Sequence, residues 1–340
     1  MVRVTGNFGG QAPLSEVVRS ALAAAVDAGW ADPRKISQAS TRSRILESHA
    51  LESLASGLGL AVDEIEIVGE EELATFLALS GFLTPERELI VGAIDRGKIR
   101  ALTRSHIKHR VIPVDQQGRL IPESLSRYSV LSLQVANGET GIYQDLEAFS
   151  NSAEIIVLDA TSAAPRVSLG QGWDGAIFSA ASWGGPSGIA VMAIRNSARW
   201  RYPLPHIAPI RTPGGYSLPL LLAASVALEN FAEDREYLQK LNQRIRTRVI
   251  AAIPGTLCVG SLENSLPHLL TIILPDTNSE MVVRELDAMG ITVEAGSACS
   301  PLISHLAMFL LQWVYPPKAL FESGLDRNIL SQILTNLLIL

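Results

Sequence analysis

Cys299 stands in the run Ala295-Gly296-Ser297-Ala298-Cys299-Ser300, a thiol among small residues. A thiolate can accept sulfur from a donor and pass it on when it is exposed and its pKa is lowered. The alternative is a cysteine that only fills space as a small hydrophobe. Asp159 ends the apolar run Ile155-Ile156-Val157-Leu158, where a carboxylate either serves a site at the strand's end or caps the next turn. Arg96 follows Ala93-Ile94-Asp95; its guanidinium can stack on a ring but cannot act as a base near neutral pH. Glu70, Glu71 and Glu72 read as a helix start, where they favour the helix dipole and repel a phosphate. Cys258 has no motif around it and is read as core packing.

Such side chains need a sheet to hold them. Short apolar runs without alternation recur at Ile65–Val68, Leu89–Val91, Val111–Val114, Val130–Val135, Ile155–Leu158, Gly175–Phe178 and Ile189–Ile194, with helical stretches between several of them. This pattern predicts a mainly parallel sheet covered on both faces. Leu14 to Ala28 and Ser43 to Leu58 show helical periodicity, and one long helix is expected from about Ser217 to Arg248. Beyond Pro254-Gly255 the order becomes strand, helix, strand, helix: Leu269 to Leu274, Ser279 to Met289, Ile291 to Glu294 and Asn328 to Leu340. The expected organisation is a large α/β domain over residues 1–245, with an N-terminal arm at 1–15, and a small C-terminal α+β domain over 246–340 that carries Cys299.

With 340 residues, 47% of them hydrophobic and 18% charged, the chain can bury a large core. A net charge of −6 from scattered acids gives no basic surface for nucleic acid. Two cysteines cannot build a disulfide framework, and six dispersed histidines give no metal-ligand spacing, so no metal is expected and a reducing cytoplasm fits. The start shows no secretion signal. The apolar runs Leu218 to Leu228 and Leu306 to Leu311 are shorter than the roughly 20 residues that span a bilayer, and are read as buried helices.

Taken in order, several segments resemble class V aminotransferases, and within them the cysteine desulfurases. They are Val111-Ile112-Pro113-Val114-Asp115, Val135-Ala136-Asn137-Gly138-Glu139-Thr140-Gly141, Val157-Leu158-Asp159-Ala160, Phe178-Ser179-Ala180 with Gly185-Pro186-Ser187-Gly188, and Gly290 to Ser300. The resemblance implies a fold type I architecture, a pyridoxal-phosphate site and a persulfide-forming loop around Cys299. In that family a lysine forms an imine with the cofactor, an aspartate holds the pyridine nitrogen protonated and a histidine stacks on the ring.

Position by position, the resemblance also implies departures. The family's Ser-Ala-His-Lys is Ser179-Ala180-Ala181-Ser182 here, so a hydroxyl stands where the imine-forming amine belongs. Asp159 keeps the aspartate position, Arg96 replaces the stacking histidine, and Asn137 remains while a second ring-contacting asparagine becomes Gly138. The phosphate cup, Ser-Gly-Ala-Thr-Glu in the family, is Val68-Gly69-Glu70-Glu71-Glu72. Leu320-Phe321-Glu322-Ser323 lacks the substrate-binding arginine, with Arg327 close by, and Arg211-Thr212-Pro213-Gly214-Gly215 lacks the threonine sent to the partner's phosphate. Trp183 is a candidate aromatic plug for the vacated ring site.

The expectation is a desulfurase-like protein without a bound cofactor, in which Asp159, Ser182, Arg96 and Asn137 are vestiges of a pyridoxal-phosphate site and Cys299 is a possible sulfur carrier. The expected partners are a second copy or an active paralogue, and a sulfur-acceptor protein, with no nucleic acid and no membrane. The alternative is an active desulfurase or related lyase that binds pyridoxal phosphate without a covalent bond.

Overall fold

The computed structural model describes residues 13–28, 31–206, 215–274, 278–288, 290–295 and 307–312. They form two compact units. The first comprises Leu14–Asn137 and Gln144–Phe231; the second takes Gly138–Tyr143 and the described residues from Ala232 onward.

In the first unit the helices are α1 (Glu16–Asp27), α2 (Gln38–Leu58), α3 (Glu71–Phe82), α4 (Gly97–Ala101), α5 (Leu146–Phe149) and α6 (Leu218–Glu229). Seven strands, β1 (Ile65–Val68), β2 (Glu88–Gly92), β3 (His109–Ile112), β4 (Ser129–Gln134), β5 (Ile155–Asp159), β6 (Gly175–Ser179) and β7 (Ala190–Ile194), make one sheet in the order β1-β7-β6-β5-β4-β2-β3. Every anticipated strand of this sheet is present. β3, β2, β4, β5 and β6 run parallel, whereas β7 pairs antiparallel with both β6 and β1. β4, β5, β6 and β7 are buried along their whole length, as strands covered on both faces must be.

The parallel order decides where chemistry can happen, because the ends of β2, β4 and β5 open onto one edge with β4 in the middle. Against one face lies α3, apolar nearly all round, with Ala74, Leu77, Ala78 and Phe82 packed on Val91, Val157, Ile177 and Met192. α6 packs with α1 and α2. Its Leu218, Leu221, Ala223, Ala224 and Leu228 are buried, the pattern of a helix enclosed on all sides.

In the second unit β8 (Leu257–Cys258), β9 (Leu269–Leu274), β10 (Glu294–Ala295) and β11 (Ala307–Gln312) form an antiparallel sheet in the order β10-β11-β9-β8. α7 (Arg235–Ala252) and α8 (Ser279–Ala288) complete it. Leu238, Leu241, Ile245 and Val249 of α7 share a core with Leu270, Ile272, Val282, Leu286 and Val293. Arg246 is buried beneath this layer; it donates to Asn242 Oδ1 at 2.6 Å and to the carbonyls of Gly260 and Val259 at 2.9 Å each. Burial lowers its pKa, against a smaller opposing effect from Cys258.

Two expectations are corrected. The single helix over 217–248 is two, because Asn230 ends α6 and the Asp234 carboxylate accepts from Tyr237 N at 2.9 Å to start α7. The apolar run Leu306 to Leu311 holds β11 rather than a helix, its backbone laid antiparallel on β9 from Ala307↔Leu274 to Gln312↔Leu269. A short apolar run reads the same in either state until its neighbours are known. No helix among the described residues is long and apolar enough to cross a membrane.

Gly81 marks the tightest packing against α3. The indole of Trp200 lies over it and donates to Leu77 O at 3.3 Å and Ala78 O at 3.2 Å, and a Cβ at position 81 would overlap indole Nε1. Helix propensity alone predicts that Gly81→Ala stabilises by about 1 kcal/mol. The overlap reverses the sign, and a net loss of about 1–3 kcal/mol is expected from the urea midpoint at unchanged slope. A raised midpoint would show that Trp200 does not hold this position.

Candidate functional site

The loop after β2 brings Asp95 and Arg96 to the edge where β4 and β5 end. Arg96 Nε donates to Asp159 Oδ2 at 3.1 Å. Its Nη1 pairs with Glu71 Oε1 in the first turn of α3, and Nη2 lies 3.5 Å from Thr75 Oγ1. One guanidinium thus ties the β2 loop, the end of β5 and the start of α3 together. Burial works to lower the Arg96 pKa, but the Asp159 and Glu71 carboxylates outweigh it and hold it above the ordinary value.

Asp159, 4% exposed, divides its two oxygens between the two roles its position allowed. Oδ1 caps the turn, accepting from Thr161 N at 3.1 Å and Thr161 Oγ1 at 2.5 Å, while Oδ2 meets Arg96. Asn137 supports the arrangement from the end of β4. Its Nδ2 donates to Ile94 O at 3.2 Å and to Gln134 Oε1 at 3.1 Å, fixing the chain two residues before Arg96. Asp95 is buried beside them, with Oδ2 accepting from Gly92 N at 3.0 Å. Burial drives its carboxyl up to about 7. The Gly92 amide pulls it down, Asp159 pushes it up, and the Ser132 hydroxyl and Arg96 again oppose.

The acidic run opens α3. Glu70 is the N-cap residue, and its carboxylate accepts from Glu72 N at 2.9 Å and from Leu73 N, while Glu70 O accepts from Ala74 N at 3.0 Å. Three first-turn amides therefore end on Glu70 itself. Lys98 of α4 pairs with Glu72. Between α3 and α4 lies a cleft of about 200 Å³ lined by Glu72, Thr75, Phe76, Arg96, Lys98, Ile99 and Leu102.

Ser182 is buried in the 3₁₀ turn Ala180–Trp183 that follows β6. Its hydroxyl donates to Ala164 O at 2.6 Å, with Ser179 O also within 2.9 Å, so it serves the backbone of its own turn. Arg166 Nη1 donates to Ser182 O at 2.5 Å, and its guanidinium lies 5.0 Å over the Phe231 ring. Gly184 and Gly188 have φ of 78° and 86°, which accounts for two of the glycines in this segment by turn geometry alone.

Four of the anticipated positions can therefore be placed. Arg96, Asp159 and Asn137 converge, whereas the Ser182 side chain is turned to the Ala164 and Ser179 carbonyls. Trp183, the anticipated aromatic plug, is fully buried and its Nε1 donates to Ala224 O of α6 at 3.1 Å; the group set against Asp159 is the Arg96 guanidinium. Cys299, the 320–323 segment, Arg327 and Arg211 to Gly214 lie outside the described residues. Glu71, Thr75 and Thr161 were not singled out beforehand as partners. The available signal was charge: an acidic run and an arginine both sit at positions that the resemblance assigns to one ligand.

Comparison with known proteins agrees with this architecture. The Aminotransferase class-V family model matches residues 211–314. A cysteine desulfurase of Cereibacter sphaeroides is 26% identical over 239 residues, covering 63% of this chain and 60% of that protein. The putative cysteine desulfurase NifS of Bacillus subtilis is 26% identical over 285 residues, covering 75% and 72%. The chain thus aligns to between about three-fifths and three-quarters of the length of these relatives. Among solved structures, a NifS-like protein superposes with a TM-score of 0.83 at 20% identity, covering 98% of this chain and 99% of that one. The apo cysteine desulfurase of Thermococcus onnurineus gives 0.77 at 17% identity, covering 96% and 94%. The seven-stranded mainly parallel sheet is thus the fold of the NifS-like structures, and in sequence the chain is similar, at a distance, to cysteine desulfurases and over residues 211–314 to class V aminotransferases.

Proposed function

We propose that this chain does not run pyridoxal-phosphate chemistry and serves instead as a binding, regulatory or sulfur-carrying component of sulfur or iron–sulfur metabolism, with Cys299 as the sulfur-bearing thiol. The observation that carries the reading is the Arg96–Asp159 pair. In the family's chemistry that aspartate faces a protonated ring nitrogen; here its free oxygen is taken by a guanidinium. The Ser182 hydroxyl cannot form an imine and is engaged with backbone carbonyls. Lys98, the lysine at the cleft, is engaged with Glu72.

Sulfur carriage needs no cofactor. A Cys299 thiolate attacks the outer sulfur of a donor persulfide, the donor's sulfur–sulfur bond breaks, and the donor thiolate leaves with the electron pair as the Cys299 persulfide forms. No net oxidant is consumed. An active desulfurase paralogue, as the second subunit of a heterodimer or as a transient partner of a homodimer, would supply that persulfide, and an acceptor protein would remove it.

Three outcomes are expected. The purified chain shows no absorbance band near the visible edge that borohydride removes; such a band would overturn the cofactor-free reading. After incubation with an active desulfurase and radiolabelled cysteine, the wild type carries thiol-labile sulfur and Cys299→Ser does not. Equal labelling of the two would end the carrier role.

On this reading the protonation of the strand-end cluster is set by the chain alone. The Asp95 pKa is raised in the folded state to about 7 from an unfolded value of 3.8, so the folded state keeps a proton that the unfolded chain has released. Stability is thus lost as pH climbs from about 4 to 7, by up to about 4 kcal/mol in total. Asp95→Asn removes this dependence. Its stability relative to wild type, measured by urea unfolding, is expected to rise between pH 5 and pH 8, and a constant difference would refute the assignment.

A further inference from the structure

We infer that Glu70 and Arg96 are built-in replacements for the two charged ends of the family's cofactor, with the Glu70 carboxylate in place of the phosphate and the Arg96 guanidinium in place of the protonated ring nitrogen. The inference rests on the cofactor-free reading above and goes beyond it, since a site can lose its ligand without being refilled.

At one end, the first turn of a twelve-residue helix would offer free amides to an anion. In α3 the Glu72 and Leu73 amides are already spent on the Glu70 carboxylate, and Ala74 N on the Glu70 carbonyl. A phosphate dianion arriving here would also meet Glu71 and Glu72, whose charges are matched by Arg96 and Lys98. At the other end, the buried Asp159 carboxylate holds a cation, as the family's aspartate does, but the cation is Arg96 from the same chain. Both lie in the same compact unit, and Arg96 joins them through Glu71. The residues present do not fit pyridoxal phosphate.

The test uses the full chain, thermal unfolding and two probes, inorganic phosphate and pyridoxal 5′-phosphate. Glu70→Ala frees the Glu72 and Leu73 amides, so its Tm is expected to fall by about 2 °C or more. Millimolar phosphate then raises the Tm of the variant while leaving the wild type unmoved. Glu70→Gln keeps one of the two accepting oxygens, so it is expected to lose less Tm than Glu70→Ala and to respond less to phosphate. Arg96→Ala lowers Tm by stranding Asp159, and adding Asp159→Asn to it recovers part of the loss; no recovery would count against Arg96 as the replacement cation. Wild type is expected to show neither a Tm shift nor a spectral change with pyridoxal 5′-phosphate.

Failure would be informative in two distinct ways. If Glu70→Ala responds to phosphate no more than wild type does, and wild type stays indifferent to pyridoxal 5′-phosphate, this inference falls while the cofactor-free reading stands. If wild type takes up pyridoxal 5′-phosphate, both fall, and sulfur labelling of Cys299 is then judged on its own result.

Discussion

A carboxylate at the end of a central strand, sealed from water, must find a positive charge or take up a proton. Asp159 finds Arg96, and much of the surrounding geometry follows from that need. β5 and β2 are separated by β4, so the two chain segments stand about 10 Å apart at ordinary strand spacing. Few side chains can reach across such a gap and still offer several donors, and arginine is one of them. The loop after β2 must then be held still, which Asn137, just beyond the intervening strand, does by bonding Ile94 O. Asp95, beside them, has its pKa raised first by burial itself, with the Asp159 charge a smaller push in the same direction that Arg96 only partly offsets.

The same guanidinium binds the sheet edge to α3. Because Arg96 reaches Glu71, the acidic start of α3 is a partner of the strand-end cluster as well as a favourable complement to the helix dipole. Lys98 offsets Glu72 on the neighbouring turn, so much of the local negative charge is balanced by residues within a short stretch of chain. Removing Arg96 leaves the buried Asp159 with unmatched charge, at a cost above that of a surface ion pair, whereas the exposed Lys98 pair with Glu72 is worth little. Ser182 is less coupled to this cluster; it is tied into its own turn, and Arg166 braces that turn from outside.

Much of this fold was legible in the sequence because fully buried parallel strands leave an unmistakable mark: continuous apolar runs such as Ile155–Leu158, spaced by helices. What the runs cannot show is direction, and the reversal of β7 between β6 and β1 was invisible for that reason. Leu306 to Leu311 misled because an apolar hexamer carries no period, and only its pairing with β9 makes it a strand. The helix over 217–248 misled differently. Its composition favours helix throughout, but Asn230 and Asp234 offer side chains to the backbone and end one helix and begin another. In the site, residue order along the chain pointed to Arg96, Asp159 and Asn137. It could not show that Asp159 would serve a turn and an ion pair at once, nor that Trp183 would spend its indole N–H on α6, because the partners Arg96 and Ala224 lie far away in sequence.

The contrast between a bound cation and a tethered one explains why such a cluster can be stable by itself. A diffusing ligand stabilises a fold only in proportion to its free concentration over its dissociation constant, and it loses translational freedom each time it binds. Arg96 and Glu70 are covalently part of the chain, so their pairing draws on a high local concentration that dilution does not change. On the proposed reading, these two residues matter more to the site than the serine at position 182. An amine at position 182 would change neither the Asp159 counter-charge, already in place, nor the α3 amides, already occupied. Binding of any anionic ring compound would then have to displace both, and each is held by more than one bond.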